Sequence, residues 1–388
     1  MQPQKIAIIH HPRLVGGGGA EACALFTIEA LKNDYDITLV TTGGVDFGNL
    51  NDCFGTNLKA DEIKVISIPA LKIFKNRFDT LRSFQLARYC KKVAPQFDLM
   101  ISTYNQMDFG KKGIQFIADL SSGDELRRIY NSESGKAAKW FYQNSFYRKC
   151  YLKFGVILSG VSEKGWKKNL TISNSEWESR ILKKTYGIET TVIYPPVVSE
   201  FPNVPWIKKE NDFLLIGRIS PEKEIEKVIK ILKRVKIDNP EIHLHIIGRI
   251  DDIVYAEKIK NLCQENKDWC FLEKPMFGRE KLDFIANHKF GISGRTNEPF
   301  GISVAEMAKA GCIVFVPDGG GQVEIVDGLQ LVYRDESDAT AKINKVLSSP
   351  EIQTKLQKYL LIQSQKFSTD NFQREIKKIV REFLNPLN

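Results

Sequence analysis

Apolar strand-like runs alternate with amphipathic stretches along almost the whole 388-residue chain. The first run is Lys5–His10, and a helical stretch at Ala20–Leu31 leads into a second run at Asp36–Thr41. Strands that are separated by helical patterns of about 10–15 residues indicate a parallel sheet with helices on both faces. The alternation therefore predicts an α/β fold.

The same pattern continues through the first half of the chain. We predict further strands at Val65–Ile68, Leu99–Ser102, Ile114–Ala118, Thr171–Ser173 and Thr191–Tyr194, and helical stretches at Leu71–Val93 and Asp124–Tyr151.

A cluster of prolines then interrupts the pattern. Pro195, Pro196, Pro202 and Pro205 lie close together, and proline continues neither a helix nor a central strand. We place a domain boundary here, which predicts a first domain at 1–195 and a second at 196–370, with the C-terminal helix at 371–388 joining the first.

Alternation resumes after the prolines. We predict strands at Phe213–Ile216, His243–Ile247, Trp269–Leu272, Phe290–Ser293 and Cys312–Val316, and helices at Pro221–Lys236, Asp252–Glu265, Arg279–Asn287, Phe300–Ala310, Ile352–Phe367 and Asn371–Phe383. The chain is thus predicted to form two doubly wound, Rossmann-like domains, with a site in the cleft between them at the carboxyl ends of the strands.

Composition narrows the class of protein. Hydrophobic residues make up 43% and charged residues 27%, a globular balance, and no uncharged apolar run reaches the ~18 residues of a membrane span. The N-terminal residues lack the pattern of a signal peptide. The seven cysteines are scattered without a C-x-x-C pair, so we expect neither a zinc site nor a disulfide framework. These features predict a reduced, cytoplasmic protein.

Positive charge is concentrated in one segment. Residues 64–168 contain 20 Lys and Arg against 8 Asp and Glu, whereas the net charge of the whole chain is +9. The end of this segment also interleaves aromatic and basic residues, a pattern typical of helices at an anionic membrane surface. A buried aromatic stripe on a solvated basic helix is the other interpretation, and nucleic acid is a third partner for such charge.

A glycine-rich loop follows the first strand. Gly16–Gly19 precede a helix, and Gly17–Ala22 satisfies the dinucleotide fingerprint G-x-G-x-x-A. Five residues separate the glycines from the strand, however, and the second strand ends in Val40-Thr41-Thr42 without the acidic residue that holds a ribose. We therefore interpret Gly17, Gly18 and Gly19 as backbone that approaches a ligand closely, and keep an NAD-dependent oxidoreductase as the alternative.

Two motifs in the second domain fit a phosphorylated ligand. Arg218 and Lys223 follow a predicted strand, and a guanidinium can clamp a diphosphate while an ammonium adds a point charge. In the second motif, Glu298 precedes a helix whose first amides, those of Phe300, Gly301 and Ile302, would point at an anion. Glu306 is predicted about two turns into that helix, and paired carboxylates suit the hydroxyls of a sugar.

Taken in order, these motifs resemble a known family. The GGGGAE loop, the Gly217-Arg218…Lys223 turn, the E-x7-E spacing of Glu298 and Glu306 and the run from Asp318 to Val326 are similar to the retaining GT-B glycosyltransferases of family 4. The resemblance extends from Lys5 to Val326 and looks strongest toward the dolichol-linked oligosaccharide mannosyltransferases.

The resemblance implies a role for each position. Arg218 and Lys223 would bind the donor diphosphate, Glu298 the hydroxyls of the transferred sugar, and Glu306 the ribose. It implies a metal-independent, retaining transfer of a hexose from a nucleotide-sugar, with GDP-mannose as our guess, to a sugar or lipid-linked glycan. It also implies no cofactor. Because the sequence contains no recognisable nucleic-acid module, we expect no nucleic-acid partner. The basic and aromatic residues of segment 64–168 favour peripheral contact with the inner face of an anionic membrane, as in polysaccharide or glycolipid biosynthesis.

Two positions depart from the family pattern. Asp119 stands where many relatives have a histidine near the reacting sugar, so Asp119 is a candidate sugar contact or a helix cap. Glu224 follows Lys223 where relatives often have glycine.

Overall fold

We analysed a computed structural model of the chain, which describes residues 3–11, 14–69, 79–118, 120, 124–130, 145–197, 200–328 and 330–386. Parts of the predicted helical stretches, at 70–78 and 131–144, lie outside the described residues, as does Asp119. The chain divides into two compact units. Unit 1 comprises the described residues within Met1–Ile129, Gly135–Pro196 and Thr369–Asn388, and unit 2 those within Tyr130–Ser134 and Val197–Ser368.

Unit 1 is built on a seven-stranded parallel sheet with strand order β3-β2-β1-β4-β5-β6-β7. The strands are β1 (Lys5–His10), β2 (Asp36–Thr41), β3 (Lys64–Ser67), β4 (Leu99–Ser102), β5 (Ile114–Phe116), β6 (Leu170–Ser173) and β7 (Thr190–Val192). Every residue of β1 and β2 after the first is buried, because helices cover both faces of the sheet.

The helices of unit 1 connect successive strands. They are α1 (Gly19–Leu31), α2 (Phe47–Phe54), α3 (Asp79–Val93), α4 (Asp124–Tyr130), α5 (Ser145–Ser159), α6 (Glu163–Trp166), α7 (Glu176–Tyr186) and, from the far end of the chain, α15 (Thr369–Leu384). Helix α15 packs against α1, and α3 packs against α5. Phe372 of α15 also contacts Phe116 of β5, with ring centroids 6.2 Å apart.

Unit 2 repeats the architecture with six parallel strands in the order β10-β9-β8-β11-β12-β13. The strands are β8 (Glu210–Ile216), β9 (Leu244–Ile247), β10 (Cys270–Leu272), β11 (His288–Ile292), β12 (Ile313–Pro317) and β13 (Val332–Tyr333). The helices are α8 (Ile225–Asp238), α9 (Ile253–Glu265), α10 (Gly278–Ala286), α11 (Ile302–Lys309), α12 (Gln322–Val326), α13 (Glu336–Leu347) and α14 (Pro350–Ser364).

Each sheet has one switch point, at which the order of the strands reverses. In unit 1 it lies between β1 and β4, and in unit 2 between β8 and β11. The connections on either side of a switch point leave in opposite directions, which opens a crevice at the carboxyl ends of these two strands. The prediction of two doubly wound α/β units is confirmed.

One predicted helix is wrong in its bounds. Instead of a continuous helix at Pro221–Lys236, a short 3₁₀ turn at Pro221–Lys223 ends at Glu224, and α8 begins at Ile225. Glu224 has a φ of 50°, in the left-handed region that disfavours side chains. The loop at Gly294 packs onto this turn so closely that a Cβ there would lie 2.7 Å from the carbonyl oxygens of Lys223 and Glu224. Tertiary packing therefore fixes the break.

Candidate functional site

A buried ion pair occupies the switch point of unit 2. Lys223 follows β8, Glu298 follows β11, and Lys223 Nζ lies 2.5 Å from Glu298 Oε2. The two side chains are only 16% and 15% exposed, and both line a narrow cavity together with the strand ends Ile216 and Ile292. The sheet thus brings two residues that are 75 positions apart in sequence to its carboxyl edge.

Glycines make this close arrangement fit. A Cβ at Gly217 would lie 3.2 Å from Lys223 Cε, so the missing side chain leaves room for the lysine to fold back over the strand end. At Gly248, which follows β9, a Cβ would overlap the carbonyl oxygen of Gly217 at 1.6 Å. Gly248 requires glycine because two backbone segments approach each other there within contact distance, whereas a side chain at Gly217 would displace Lys223.

The charge of Glu298 is fixed by its neighbours. Burial alone would raise the pKa of this carboxyl group, but Lys223, Arg295 and, more weakly, Arg218 oppose burial and bring the pKa down to about 2. Arg295 Nη1 lies 3.6 Å from Glu298 Oε1, on the side of the carboxylate away from Lys223. Glu298 is therefore an anion throughout the neutral pH range.

Arg218 carries its own acidic partners. Its guanidinium bonds Asp251 Oδ2 at 2.8 Å and Glu222 Oε1 at 2.9 Å, and the side chain is 49% exposed. Asp251 belongs to the loop after β9, the neighbouring strand. The guanidinium is thus held at the carboxyl edge of the sheet while half of its surface remains open to a ligand.

The loop at 318–321 supports the backbone of Glu298. A Cβ at Gly320, where φ is 78°, would lie 2.4 Å from the Glu298 carbonyl oxygen, and the Gly321 N–H donates to that oxygen at 2.8 Å. Next in sequence, the fully buried Gln322 donates from Nε2 to the Arg295 carbonyl. The loop after β12 therefore fixes the position of the loop that carries Glu298.

Helix α11 begins beside Glu298. Gly301 precedes the helix with a φ of 102°, and its carbonyl accepts the first bond of the helix, from Ala305. The first N–H groups of a helix have no acceptor within it, which leaves the amides that follow Gly301 available to an anion. Ser303, in this first turn, lines the same cavity as Glu298. Phe300 instead buries its ring against Phe367.

Glu306 lies closer to the helix start than predicted. Because α11 begins at Ile302 rather than Phe300, Glu306 is little more than one turn into the helix and not two. Lys281 of α10 holds both carboxylate oxygens at 2.7 Å. The two side chains are 10% and 23% exposed, so the acid is fixed in one orientation.

The switch point of unit 1 has neutral polar side chains. His10 at the end of β1 bonds Thr103 after β4, with Nδ1 and Oγ1 3.0 Å apart. Burial, together with the neighbouring His11, lowers the pKa of His10 to about 3. The predicted glycines follow β1: Gly18 precedes α1, and Gly19 is the first residue of this helix.

Two asparagines clamp the end of β5. The Ala118 N–H donates to Asn105 Oδ1 at 3.0 Å, and the Ala118 carbonyl accepts from Asn174 Nδ2 at 3.3 Å. Asn105 and Asn174 follow the neighbouring strands β4 and β6. Both backbone polar groups of the residue before Asp119 are therefore held by side chains, while Asp119 itself lies outside the described residues.

Four residues of this site were not predicted as site residues from the sequence. Lys281, Arg295, Asp251 and Glu222 all contact predicted site residues. Arg295 stands three residues before Glu298, so its proximity was a usable signal. Lys281 is a single lysine on a predicted helix, and nothing in the sequence around it indicates a contact with Glu306. Within the described ranges, no group of three or more His, Cys, Asp or Glu side chains is arranged to hold a metal ion.

The fold is the two-domain α/β architecture of GT-B glycosyltransferases. Solved structures with this fold include a glycosyltransferase from Rickettsia africae (TM-score 0.68, 17% identity, 99% of this chain and 100% of that one). Another is Anabaena HepE in complex with UDP and glucose (TM-score 0.70, 14% identity, 97% and 99%).

The sequence comparisons agree with the fold. Residues 199–360 match the model of the family "Glycosyl transferases group 1". A relative from Eremothecium gossypii, named GDP-Man:Man(3)GlcNAc(2)-PP-Dol alpha-1,2-mannosyltransferase, is 24% identical over 80% of this chain and 59% of its own. A protein of the same name from Dictyostelium discoideum is 22% identical over 56% and 48%. The chain thus spans about half the length of these curated relatives. Together the similarities support a GT-B glycosyltransferase.

Proposed function

We propose that the protein transfers a hexose from a nucleotide-sugar to a sugar or lipid-linked glycan acceptor, with retention of the anomeric configuration. The observation that carries the proposal is the arrangement of Arg218, Lys223 and Glu298 at the switch point of unit 2. Two cations and a carboxylate at this place match the two chemistries of such a donor, an anionic diphosphate and a neutral polyol.

The cations would bind the diphosphate. In the structure each is neutralised by carboxylates, Lys223 by Glu298 and Arg218 by Asp251 and Glu222. A diphosphate that approaches the open side of Arg218 adds acceptor oxygens to a cluster that is already oriented. As the bond to the sugar breaks, the same cations stabilise the negative charge of the departing nucleotide. This electrostatic role supports transfer without a metal ion.

The carboxylates would hold alcohols. Glu298, kept anionic by its neighbours, would accept hydrogen bonds from the transferred sugar, while the first amides of α11, beginning at Ile302, would donate to the nearby phosphate. Glu306 would accept the two ribose hydroxyls. Lys281 supports this role because it fixes both oxygens of Glu306 in one orientation.

Unit 1 would bind the acceptor. Gly17, Gly18 and Gly19 offer backbone without side chains at the end of β1. Asp119 remains a candidate sugar contact, supported by the clamp on the preceding residue Ala118. Attack from the face of the departing phosphate, which takes up the acceptor proton, would retain the configuration.

We infer GDP-mannose as the donor, in a cytoplasmic protein that works at the inner face of a membrane. Relatives that are named GDP-mannose-dependent mannosyltransferases support this choice. The alternative, an NAD-dependent oxidoreductase built on Gly17–Ala22, receives no support from the family match or from the similar structures. We also expect no nucleic-acid partner and no cofactor.

A thermal-shift and turnover panel tests the donor. The purified chain is mixed with GDP, UDP and ADP, with their sugars, and with NADH, with and without EDTA. A ligand at 100 times its dissociation constant adds about 2.7 kcal/mol of stability. We expect the largest shift with GDP-mannose, unchanged by EDTA, and slow release of GDP. A shift with NADH alone would reject the proposal, and a largest shift with a UDP-sugar would correct the donor.

A further inference from the structure

Helix α5 (Ser145–Ser159) is apolar on the side that faces away from unit 1. Its inner side packs on α3 so closely that a Cβ at Gly155 would lie 2.2 Å from the ring of Phe84. Arg148, Gly155 and Ser159 form this narrow buried stripe. A surface helix normally carries polar residues opposite its buried stripe, because those positions face water.

The outward positions of α5 break this rule. Phe146 is 69% exposed and Ile157 is 70% exposed, and Tyr147 and Phe154 are also more than half exposed. With 100° per residue, Phe146 and Ile157 lie on the side opposite to Gly155, and Phe154 lies about 100° from Gly155. Helix α5 therefore presents a broad apolar surface, which we call the outer face of α5.

The outer face of α5 is also positively charged. Lys149 and Lys153 are exposed among the apolar side chains, and residues 145–162 contain no acidic residue. Lys164 and Lys168, just beyond the helix, are exposed as well. Apolar side chains that are interleaved with lysines match the hydrocarbon boundary and the anionic headgroups of a bilayer.

We propose that the outer face of α5 docks on an anionic lipid membrane. A second copy of the chain fits this face poorly, because a two-fold interface pairs the face with itself, and Lys149 and Lys153 would find no acidic partner on it. The 15-residue helix is too short to cross a bilayer, and no other helix in the described part of the chain is long and apolar enough to do so. The helix would instead lie in the plane of the interface. This inference does not depend on the sugar donor.

Co-sedimentation of the full chain with vesicles tests the proposal. Vesicles of phosphatidylcholine alone are compared with vesicles that contain about one third phosphatidylglycerol. We expect binding to the anionic vesicles, loss of binding at high salt because the lysine contribution is screened, and little binding to phosphatidylcholine. Equal binding to both vesicle types, or to neither, would overturn the proposal.

Two pairs of substitutions locate the surface. Lys149→Glu with Lys153→Glu should weaken binding on the order of 20-fold or more, at about one factor of five for each lysine removed. Phe146→Ser with Ile157→Ser should weaken it on the order of 100-fold. Circular dichroism and the melting temperature report whether each variant folds.

Matched controls lie in unit 2. Lys260→Glu with Lys267→Glu changes the net charge equally at exposed positions, and Ile253→Ser with Val254→Ser removes side chains that are 81% and 83% exposed. Both controls should bind as the parent does. If they weaken binding as much as the α5 variants, the surface is wrongly located. If the α5 serine variant instead converts a dimer to a monomer in size-exclusion chromatography and leaves vesicle binding intact, a second copy covers this face and the proposal fails.

Discussion

The two units share one sheet topology, but the side chains at their switch points differ. In unit 2 they are charged and paired, as Lys223 with Glu298 and Lys281 with Glu306 show. In unit 1, His10 and Thr103 meet as neutral groups. Glu298 and His10 are each held in one protonation state, but by different causes. Ion pairing lowers the pKa of Glu298 to about 2, whereas burial and the neighbouring His11 lower that of His10 to about 3.

Charged side chains at one switch point and neutral side chains at the other show that the same fold can bind ligands of different chemistry. The crevice is a product of strand order and recurs in both units, but what it binds depends on the residues that follow the strands. Paired charges suit a phosphorylated ligand, and neutral hydroxyl and imidazole groups suit a glycan. This division of binding between the phosphorylated ligand in unit 2 and the glycan in unit 1 can be tested by mutation.

Glu298→Gln should lower kcat on the order of 10³-fold, because the neutral amide leaves Lys223 without its anion and replaces one of the two acceptor oxygens for the sugar hydroxyls with a donor. Steady-state release of nucleotide measures the effect. Glu351→Gln, which removes an exposed acid of α14 paired with Lys355, is the matched control. Activity within a few-fold of the parent would remove Glu298 from the chemistry.

Arg218→Ala should lower kcat/KM on the order of 10²-fold by removing a bidentate partner of the diphosphate. Arg218→Lys should recover only part of this loss, because an ammonium lacks the planar fork of donors. Isothermal titration with the nucleotide diphosphate separates binding from turnover. An unchanged affinity in both variants would place the diphosphate elsewhere.

The shifted pKa values of His10 and Glu298 should reduce stability in different ranges of acid pH. His10 has a folded pKa below its unfolded value of 6.5, so the unfolded chain takes up a proton first and stability falls as pH drops below 6.5. At pH 5 the loss is about 2 kcal/mol. Glu298 also has a lowered pKa, and its stabilisation is lost only as pH falls from 4.5 toward 2.

Urea unfolding at pH 7 and pH 5 measures the first of these effects. His10→Asn should flatten the pH dependence over this interval, while His243→Asn, which replaces a half-exposed ring, should leave it in place. Hydrogen exchange resolved by peptide should show β1 losing protection between pH 7 and pH 5 in the parent chain and keeping it in His10→Asn. Equal loss of protection in both chains would contradict the role of His10.

Gly18→Ala should lower kcat/KM about 10-fold. A Cβ at Gly18 would lie 2.4 Å from Glu21 Oε2, and the displaced carboxylate and the added methyl group crowd the end of β1. Gly44→Ala is the control, since a Cβ there has no atom of the described structure within 4 Å. Equal kinetics for both variants would exclude the glycine loop from the ligand contacts.

The smallest effect concerns Glu224, whose φ of 50° costs conformational energy. Glu224→Gly should be more stable than Glu224→Ala by about 1 kcal/mol, because both variants lose the same side-chain contacts and only alanine keeps the left-handed penalty. Thermal unfolding measures the difference. Equal stabilities would show that the turn adjusts its backbone.

The fold was predictable because its signals are local. The strands at Lys5–His10, Asp36–Thr41 and Leu99–Ser102 have the predicted bounds, since buried parallel strands read as apolar runs. The break at Glu224 was not predictable, because it depends on the packing of Gly294, 70 residues away. Tertiary contacts override local propensity at such positions.

The site was predictable only in part for the same reason. Arg218, Lys223 and Glu298 follow strands within recognisable motifs, and the structure brings them together. Lys281 has no motif, and its contact with Glu306 arises only when α10 and α11 pack side by side. The start of α11 depends on the φ of 102° at Gly301. Because the helix begins at Ile302 and not at Phe300, Glu306 lies two residues nearer to the helix start than predicted.

The crowding at Gly320 has a practical consequence for anyone who wishes to alter what this pocket accepts. The carbonyl of Glu298 is pressed against bare backbone, so a library that varies residues 319–321 would mostly yield displaced acids rather than new specificities. Diversity is better introduced at Ser303, which borders the cavity from the first turn of a helix. The glycines of this loop fix one side of the pocket, and substitutions are better placed on the side formed by Ser303.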